Sequence, residues 1–364
     1  MDPAVPSVLW VEPSLEGPSG GSRYNERVQA ELEAAGCRVI QVSRAADWPA
    51  PSRHHVEELL TEVAGMRARH PGSIVIVDGL IGGCVPELFA AGDAALADAL
   101  LVHLPLTAEP DAPEGVHQSE GEAVRSARTV IATSHWAEAD LRARHRRHDV
   151  LVAEPGVERP VAGGAALAPR LTGESRSPKR SSRPWQLAIV GAITPRKNHA
   201  LLGRALRPLR DYAWELAVIG PGASTPFGHR ALSQLEELLP GRIRAHGALS
   251  AEQVGAALSE TDLLLLPSLA ETYGMVVTEA AVHSVPSFVS AGTGAQEAQD
   301  GAGLALPSGD PGAWTDAFDR WFSDPGLREA LRAAAVERGA KVPTWQRTAQ
   351  TFSTLAVSLR TGWD

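Results

Sequence analysis

The chain has 364 residues, of which 44% are hydrophobic, and this size and composition predict a globular protein of two domains. A net charge of −9 disfavours general nucleic-acid binding. Two cysteines, Cys37 and Cys84, are too few for a disulfide framework and lack metal-ligand spacing. The start has no basic signal-peptide region, and no apolar run approaches the roughly 20 residues that span a bilayer, so we expect a cytoplasmic protein.

The first half of the sequence alternates strand and helix patterns, which predicts a doubly wound parallel α/β sheet. Ser134 would cap the last helix of this half. The predicted strands are SVLWVE (7–12), CRVIQV (37–42), SIVIV (73–77), ALLVHL (99–104) and TVIAT (129–133), and the predicted helices cover 26–36, 54–69, a patch near 86–99, and 135–145.

The glycine-rich stretch GPSGGS, residues 17–22, stands between the first strand and the first helix. Glycines there would allow the backbone to approach an anion closely. No GxGxxG motif is present and no acidic residue follows at the expected distance, so a dinucleotide-dependent dehydrogenase is disfavoured.

Residues 158–184 are rich in Pro, Gly, Ser and Arg and lack periodicity, which predicts a linker between a domain at 1–157 and a second at 185–344. The second half repeats the strand–helix alternation, and a ligand would lie in a cleft between the two sheets. The patterns are strands at 186–191, 214–220, 242–247, 263–266, 288–290 and 304–307, with helices at 199–209, after Ser250, after Gly274, after Asp310 and over 325–360.

Residues 262–282, DLLLLPSLAETYGMVVTEAAV, read as a short buried strand, a loop and a helix. Glu271 would lie in the loop, Glu279 on the opening turns of the helix, and Gly274 where a ligand approaches the backbone. Anionic ligands bind at carboxyl ends of parallel strands and at helix N-termini. Two carboxylates here therefore suggest sugar hydroxyls held beside a phosphate, or simply two acids favoured by the helix dipole.

Two further strand ends of the second half carry candidate donor-site residues. Arg196 and Lys197 follow the strand at 186–191 and would suit a diphosphate, with Lys as a point charge and Arg as a fork. The alternative is a solvated basic turn. Gly220 lies in a similar strand-end turn, which ordinary turn chemistry explains equally well.

The first half offers weaker candidates. His103 ends a buried strand and could bond a substrate hydroxyl, or be a satisfied core histidine. Glu109 could bind an acceptor or cap a turn. The basic helix end at 142–148 could touch anionic lipid or form a solvated face.

The sequence resembles the retaining glycosyltransferases of family 4. The matching segments are VHLPL, ATSHWAEADL and EPGV in the first half, and VGAITPRKNHALL, AVIGPG, HGALS and PSLAETYGMVVTEA in the second. The Glu-x7-Glu element with the Arg-Lys loop is the most specific part. The resemblance implies the GT-B fold, in which two Rossmann-like doubly wound sheets face a central cleft and the last helix, about 345–364, packs back on the first domain.

The resemblance also implies roles on the donor side. Glu271 would bind the sugar hydroxyls, Glu279 the nucleotide ribose and Lys197 the diphosphate. The backbone amides at the helix start would contact sugar and phosphates, and these belong to Tyr273, Gly274, Met275 and Val276.

In the first domain, the resemblance places His103 near the 6-position of the sugar, and Gly21 near the phosphate or the acceptor. Gly20 and Glu109 are the acceptor-side candidates. One position departs from the family, which has arginine where this chain has Ala192, so Arg196 would have to supply that charge.

Together these features predict transfer of a hexose from a UDP- or GDP-sugar to an acceptor hydroxyl, with retention of configuration. No cofactor or divalent metal is expected, because no Asp-x-Asp lies at a strand end and Lys197 with Arg196 can neutralise the leaving diphosphate. The resemblance implies a front-face mechanism in which the leaving phosphate takes the acceptor proton. The negative charge and the absence of an aromatic membrane stripe favour a small soluble acceptor.

The sequence is also compatible with other functions. The acceptor could be a membrane lipid or a cell-envelope glycan, with contact at the membrane surface. The protein could be a nucleotide-sugar epimerase or a pyridoxal-phosphate-dependent phosphorylase on the same fold, although no lysine context favours the cofactor. It could also bind nucleotide sugars without catalysis, which only Ala192 supports. The sequence does not predict the oligomeric state.

Overall fold

The computed structural model describes residues 6–15, 17, 19–90, 95–109, 112–159 and 183–361. The chain divides into two compact units: unit 1 comprises Met1–Gly156 with Pro343–Asp364, and unit 2 comprises Val157–Val342. Each unit contains one six-stranded sheet. Most of the linker predicted over 158–184 lies outside the described residues.

Unit 1 is a parallel sheet covered by helices. Its strands are β1 (Ser7–Pro13), β2 (Arg38–Arg44), β3 (Ile74–Asp78), β4 (Ala99–Val102), β5 (Thr129–Ala132) and β6 (Val150–Val152). Its helices are α1 (Gly20–Ala34), α2 (Arg53–Arg69), α3 (Gly79–Gly82), α4 (Val116–Ser126), α5 (His135–His145) and the last helix, α13 (Trp345–Thr361). The strand order is β2-β1-β3-β4-β5-β6, and every pair is parallel.

Unit 2 repeats this plan. Its strands are β7 (Trp185–Val190), β8 (Trp214–Ile219), β9 (Ile243–Gly247), β10 (Leu263–Leu266), β11 (Ser287–Ser290) and β12 (Gly303–Leu306). Its helices are α6 (His199–Leu206), α7 (Pro226–Leu238), α8 (Ala251–Glu260), α9 (Met275–Val282), α10 (Gly294–Gln299), α11 (Pro311–Ser323) and α12 (Pro325–Lys341). The strand order is β12-β11-β10-β7-β8-β9, again all parallel.

Several inner strands are buried along their whole length, as expected where helices cover both faces of a sheet. All residues of β3, β4 and β10 are buried, which explains their continuous apolar sequences. In each sheet the strand order reverses at one place, between β1 and β3 in unit 1 and between β7 and β10 in unit 2. The carboxyl ends of strands at such a reversal are where open α/β sheets bind ligands.

Two local predictions in unit 1 are wrong. Among the described residues of 86–99, the only helical element is the 3-10 turn Pro86–Phe89. The Leu88 carbonyl accepts the N–H groups of Leu96 and Ala97, and these bonds tie the turn to the approach to β4. The first helix begins at Gly20 rather than at residue 26, because Ser19 and Ser22 form a reciprocal capping box. Helix α4 was not predicted at all.

Helix α13 packs on α1 and the sheet inside unit 1. The ring of Phe352, fully buried, lies 5.4 Å from Trp10 and 6.3 Å from Tyr24, centroid to centroid. Thr348 Oγ1 donates to the Glu154 carbonyl at 2.7 Å. A Cβ on Gly156 would come within 2.2 Å of the Trp345 nitrogen, so only glycine allows this approach.

This packing makes Phe352 a test of how far α13 stabilises unit 1. Phe352→Ala should lower the free energy of unfolding by about 3–5 kcal/mol, because it removes a buried ring and leaves a cavity. Val357→Ala, at a side chain on the same helix that is 51% exposed, is the matched control and should change little. Chemical denaturation followed by tryptophan fluorescence measures both, and equal effects would contradict the packing described.

Candidate functional site

The loops that follow β7 and β10 are joined to each other in unit 2. The first contains the 3-10 turn Pro195–Lys197, and the second carries Glu271. The Leu269 N–H donates to the Arg196 carbonyl at 2.8 Å, and Arg196 Nη1 donates to the Ala270 carbonyl at 2.9 Å. Because β7 and β10 flank the reversal of strand order, these joined loops occupy the expected ligand-binding edge of the sheet.

Glu271 forms the centre of a charged cluster. Lys197 Nζ lies 2.6 Å from Glu271 Oε2, and both side chains are only 12% exposed. Arg196 Nη1 lies 3.6 Å from the same oxygen, and Ser268 Oγ donates to it at 3.2 Å. The sequence predicted the two cations and the carboxylate separately, and the structure brings all three together.

The ionisation of Glu271 follows from this cluster. Burial alone raises the pKa of the carboxyl group, but the Lys197 ammonium and then the Arg196 guanidinium outweigh burial and lower the pKa below its ordinary value of 4.5. The neighbouring His199 ring is buried, and burial together with the Lys197 charge lowers its pKa to about 4. At neutral pH the cluster therefore contains an ionised carboxylate and a neutral imidazole.

Asn198 fixes the turn that presents the cations. Its backbone is left-handed, with φ 52° and ψ 41°, a conformation that Asn adopts more readily than most residues. Its Nδ2 donates to the carbonyls of Pro267 and Ser308 at 3.2 and 3.0 Å. Asn198 and Ser268 were not predicted to have a role, although an Asn directly after the Arg-Lys pair is a sequence signal for a turn.

The start of α9 lies next to this cluster in the chain. Gly274 is the N-cap residue, with φ 80° and ψ 65°, and a Cβ there would come within 2.9 Å of Leu266 Cδ2. Since the first N–H groups of a helix have no intrahelical partner, those of Met275 and Val276 are available for an anion. The Tyr273 side chain is buried in the core, so only its backbone could face a ligand.

Two further predicted donor-site residues, Gly220 and Glu279, lie in unit 2. Glu279 is half-buried on α9. Gly220, at φ 147°, packs so closely that a Cβ would come within 2.0 Å of the Gly191 carbonyl oxygen. A Cβ on Gly191 would in turn come within 3.1 Å of Lys197 Cε. Gly220 thus leaves room for the Gly191 backbone, and Gly191 leaves room for the Lys197 side chain.

In unit 1, His103 follows β4 and is bonded to two buried side chains. Its Nε2 lies 2.8 Å from Asn25 Oδ1 and 3.2 Å from Asp78 Oδ2. Gly21, in the first turn of α1, faces the ring, since a Cβ there would come within 3.1 Å of His103 Cδ2. Asn25 and Asp78 were not predicted as site residues, although an acidic residue at the end of a buried strand indicates a candidate site.

The remaining candidates in unit 1 lie in the first turn of α1 and after β4. Gly20 is the first residue of α1 and is exposed. Glu109 ends the 3-10 turn Leu106–Ala108 and is half-buried. Buried Glu120 holds that turn by accepting the Leu106 N–H at 2.6 Å.

The basic end of α5 is largely paired with acids. Arg142 contacts Glu138 at 3.1 Å, Arg144 contacts Asp140 at 2.7 Å, and Arg147 contacts Asp149 at 2.7 Å. This pairing is typical of a solvated helix face. Among the described residues, no helix has the length and apolarity to cross a bilayer, and no group of three or more His, Cys, Asp or Glu side chains is arranged to hold a metal ion.

The lowered pKa of Glu271 gives a pH-dependent stability. A carboxyl group whose pKa is lower in the folded state stabilises the fold above its unfolded pKa, and this contribution is lost as pH falls through the folded pKa. Glu271→Gln should therefore destabilise unit 2 at pH 7, and the difference from wild type should shrink as pH falls below about 4.5. Melting temperatures from pH 7 down to pH 3.5 measure this difference.

The control is Glu337→Gln, at an exposed ion pair with Lys341, and it should change stability little at any pH. A Glu271→Gln difference independent of pH would contradict the assignment.

Comparison with known proteins agrees with these features. Residues 173–338 match the family model of the glycosyl transferases group 1. D-inositol 3-phosphate glycosyltransferase from Salinispora tropica is 29% identical over 246 residues, which are 63% of this chain and 50% of that protein. The enzyme of the same name from Corynebacterium jeikeium is 30% identical over 213 residues, or 54% of this chain and 51% of that protein. The chain thus spans about half the length of these relatives.

Solved structures share the fold over nearly the whole chain. Sucrose-phosphate synthase from Thermosynechococcus elongatus superposes with a TM-score of 0.79 at 19% identity, covering 97% of this chain and 99% of that one. Anabaena Alr3699/HepE in complex with UDP-glucose superposes with a TM-score of 0.72 at 15% identity, covering 97% and 100%. The predicted α/β fold of GT-B type is confirmed. Residues 173–338 are thus similar to the glycosyl transferases of group 1, and the chain has the GT-B fold.

Proposed function

We propose that this protein transfers a hexose from a UDP- or GDP-sugar to a hydroxyl group of a small soluble acceptor, with retention of configuration and without a metal ion. The observation that carries the proposal is the contact between Lys197 and Glu271 at the strand-order reversal of unit 2. At such an edge of the sheet, the ammonium group can bind the diphosphate of a nucleotide sugar, and the carboxylate can bind the hydroxyls of its sugar.

Each side chain of the cluster has a chemical counterpart in such a donor. Lys197 and Arg196 would bind the diphosphate, together with the first N–H groups of α9. Glu271 can accept hydrogen bonds from sugar hydroxyls, because its pKa is lowered and the carboxylate stays ionised. Glu279, further along α9, would accept from the ribose hydroxyls. Asn198 and Ser268 orient this set through the bonds described above.

The reaction needs stabilisation of the departing diphosphate. The bond from the sugar C1 to the phosphate oxygen breaks, a bond from C1 to the acceptor oxygen forms on the same face, and the acceptor proton passes to the departing phosphate oxygen. Negative charge therefore grows on the diphosphate. Fixed cations and N–H donors that face such a charge contribute roughly 2.7–4 kcal/mol each in a well-studied case. The positive charge of Lys197 and Arg196 is what lets the proposed reaction proceed without a metal ion.

The acceptor class rests on the sequence relatives. Two of them are named for D-inositol 3-phosphate, which is a small polyol. The pairing of the α5 arginines with acids adds support, because it leaves little positive charge there for a lipid surface. D-inositol 3-phosphate and neutral cyclitols are therefore the first acceptors to test, with lipid acceptors in vesicles as the contrasting arm.

Substitution of the ion pair tests the proposed donor site. Lys197→Ala and Glu271→Ala should each lower kcat by roughly 100-fold or more, because each removes a group that faces the donor. Lys341→Ala, an exposed lysine of the same unit, is the matched control and should leave the rate unchanged. The measurements are donor affinity by calorimetry and release of UDP or GDP with an acceptor present. Unchanged donor affinity and turnover in both variants would contradict the proposal, and donor binding without turnover on any acceptor would favour a non-catalytic binder.

A second substitution series tests whether Arg196 replaces the family arginine that is absent at Ala192. Arg196 Nη1 lies 3.6 Å from Glu271 Oε2, so its charge is inside the cluster. Arg196→Ala should lower kcat by roughly tenfold or more, and adding Ala192→Arg should restore much of the loss. Steady-state kinetics on the single and double variants decide this. Wild-type turnover by Arg196→Ala would show that the guanidinium has no part in the reaction.

A further inference from the structure

A cavity of about 690 Å³ lies in unit 2, between the first turn of α6 and helix α7. Pro195 and Asn198 form part of its wall, whereas the two cations that stand between them in the chain, Arg196 and Lys197, do not. Small-molecule sites of proteins have volumes of roughly 300–1,000 Å³. The cavity is therefore large enough for a ligand, and it lies beside the turn that carries the two cations.

His199, the first residue of α6, borders this cavity and is 2% exposed. Within the described part of the chain, neither nitrogen of its ring has a hydrogen-bond partner. Burial together with the Lys197 charge lowers the pKa of the ring to about 4, so at neutral pH the ring offers one N–H donor and one acceptor. Buried polar groups are nearly always paired, because an unpaired one destabilises the fold. A small rotation of the ring towards the cavity would let a ligand supply the partner.

Helix α7 supplies most of the remaining wall. Phe227, in its first turn, is half-buried and adds an aromatic surface. Arg230, Gln234 and Glu237 follow at intervals of four and three residues, so they lie on one face of the helix, and all three are exposed. The wall thus combines an aromatic ring with a cation, an amide and a carboxylate.

This set of groups suits an uncharged compound that carries several hydroxyl groups. A hydroxyl can donate to the Glu237 carboxylate and can accept from Arg230 and Gln234. A phosphate would be attracted by Arg230 but repelled by Glu237, and an alkyl chain would leave the polar groups of the wall without partners. The C–H faces of a sugar or cyclitol ring can also pack on Phe227. The chemistry of the wall therefore favours a neutral polyol over an anion or a lipid.

We propose that this cavity is a second ligand site of unit 2, which binds an uncharged polyhydroxy compound of monosaccharide size through Glu237 and a rotated His199. The site shares no side chain with the charged cluster around Glu271. The inference goes beyond the proposed function and does not depend on it, because binding here requires no transfer reaction.

Binding can be observed at the ring itself, with D-glucose as the probe. In protein labelled with 15N-histidine, the His199 signals, identified by their loss in His199→Leu, should move in a saturable way as D-glucose is added. The signals of His283, half-buried elsewhere in unit 2 with its Nδ1 3.0 Å from Ser259 Oγ, should stay in place. Absence of a saturable shift at His199 would overturn the inference.

The same titration in Glu271→Ala separates this site from the proposed donor site. The His199 shift should persist in that variant, because Glu271 is not part of the cavity wall. A shift that disappears in Glu271→Ala would place the glucose at the donor cluster and overturn the second site. A saturable shift in a protein without transfer activity would sustain the second site and reject the proposed reaction.

Two neighbouring carboxylates of α7 form a matched pair of variants. Glu237 lines the cavity, whereas Glu236 lies outside it and accepts the Gly241 N–H at 2.8 Å. Glu237→Gln should weaken the affinity for D-glucose roughly tenfold, because a hydrogen bond to a charged acceptor is stronger than one to an amide. Glu236→Gln should leave the affinity unchanged. Equal affinities in the two variants would contradict the proposed contact with Glu237.

A third variant, His199→Leu, tests the role of the ring. Leucine has a similar volume and no polar atom in its side chain, so the variant should bind D-glucose more weakly without a lower melting temperature. Titration calorimetry and thermal unfolding measure the two quantities. A lower melting temperature with unchanged affinity would show that His199 serves packing alone and would overturn its part in the site.

Discussion

The contact between Lys197 and Glu271 is the interaction on which the arrangement of unit 2 depends. Both charges are largely removed from water, and such desolvation costs several kcal/mol per ion before any attraction is counted. The surrounding bonds offset this cost: Ser268 and Arg196 add donors to the carboxylate, and Asn198 fixes the turn that carries the lysine. A buried pair of this kind is a poor means of stabilising a fold, and the proposed donor site would account for its presence.

The two units follow the same topological rule but collect different chemistry at the reversal of strand order. Unit 2 gathers two cations, a carboxylate and the start of a helix, which suit an anionic diphosphate and the hydroxyls beside it. Unit 1 gathers a histidine, an amide and a carboxylate, which suit hydroxyl groups alone. This difference fits the proposed reaction. The diphosphate of the donor carries high negative charge, whereas the hydroxyl groups of the substrates carry none.

Much of the fold and of the candidate site could be predicted from the sequence. The run Leu263–Leu266 is too short and too apolar for anything except a strand buried on both faces, and the helix after Gly274 follows from its spacing. Local patterns could therefore place Glu271 at a strand end. They could not show that Lys197 touches it, because that contact requires β7 and β10 to be neighbours, and strand order is not written in any local pattern.

The wrongly predicted elements also depend on contacts that the hydrophobic pattern does not show. Residues 86–99 contain enough apolar side chains for a helix. The N–H groups of Leu96 and Ala97 instead bond to the Leu88 carbonyl, and these residues are too far apart in the sequence for a helical pattern to predict the bonds. Gly20 and Gly21 disfavour a helix by propensity, and the capping box of Ser19 and Ser22 overrides them. Asp78 was visible at its strand end, whereas Asn25 depends on how α1 rotates over the sheet.

The ties among the unit 2 loops have a further consequence for ligand affinity. Arg196 is bound to the Glu271 loop through its carbonyl and its guanidinium. The N–H of Gly294, at the start of α10, donates to the Glu271 carbonyl at 2.7 Å. These three segments are thus ordered by one another. Fixing a backbone residue costs roughly 1–2 kcal/mol of conformational entropy, and here that loss accompanies folding rather than ligand capture. Gly294, which has no room for a Cβ against the Thr272 carbonyl, therefore allows the close approach that orders the Glu271 loop.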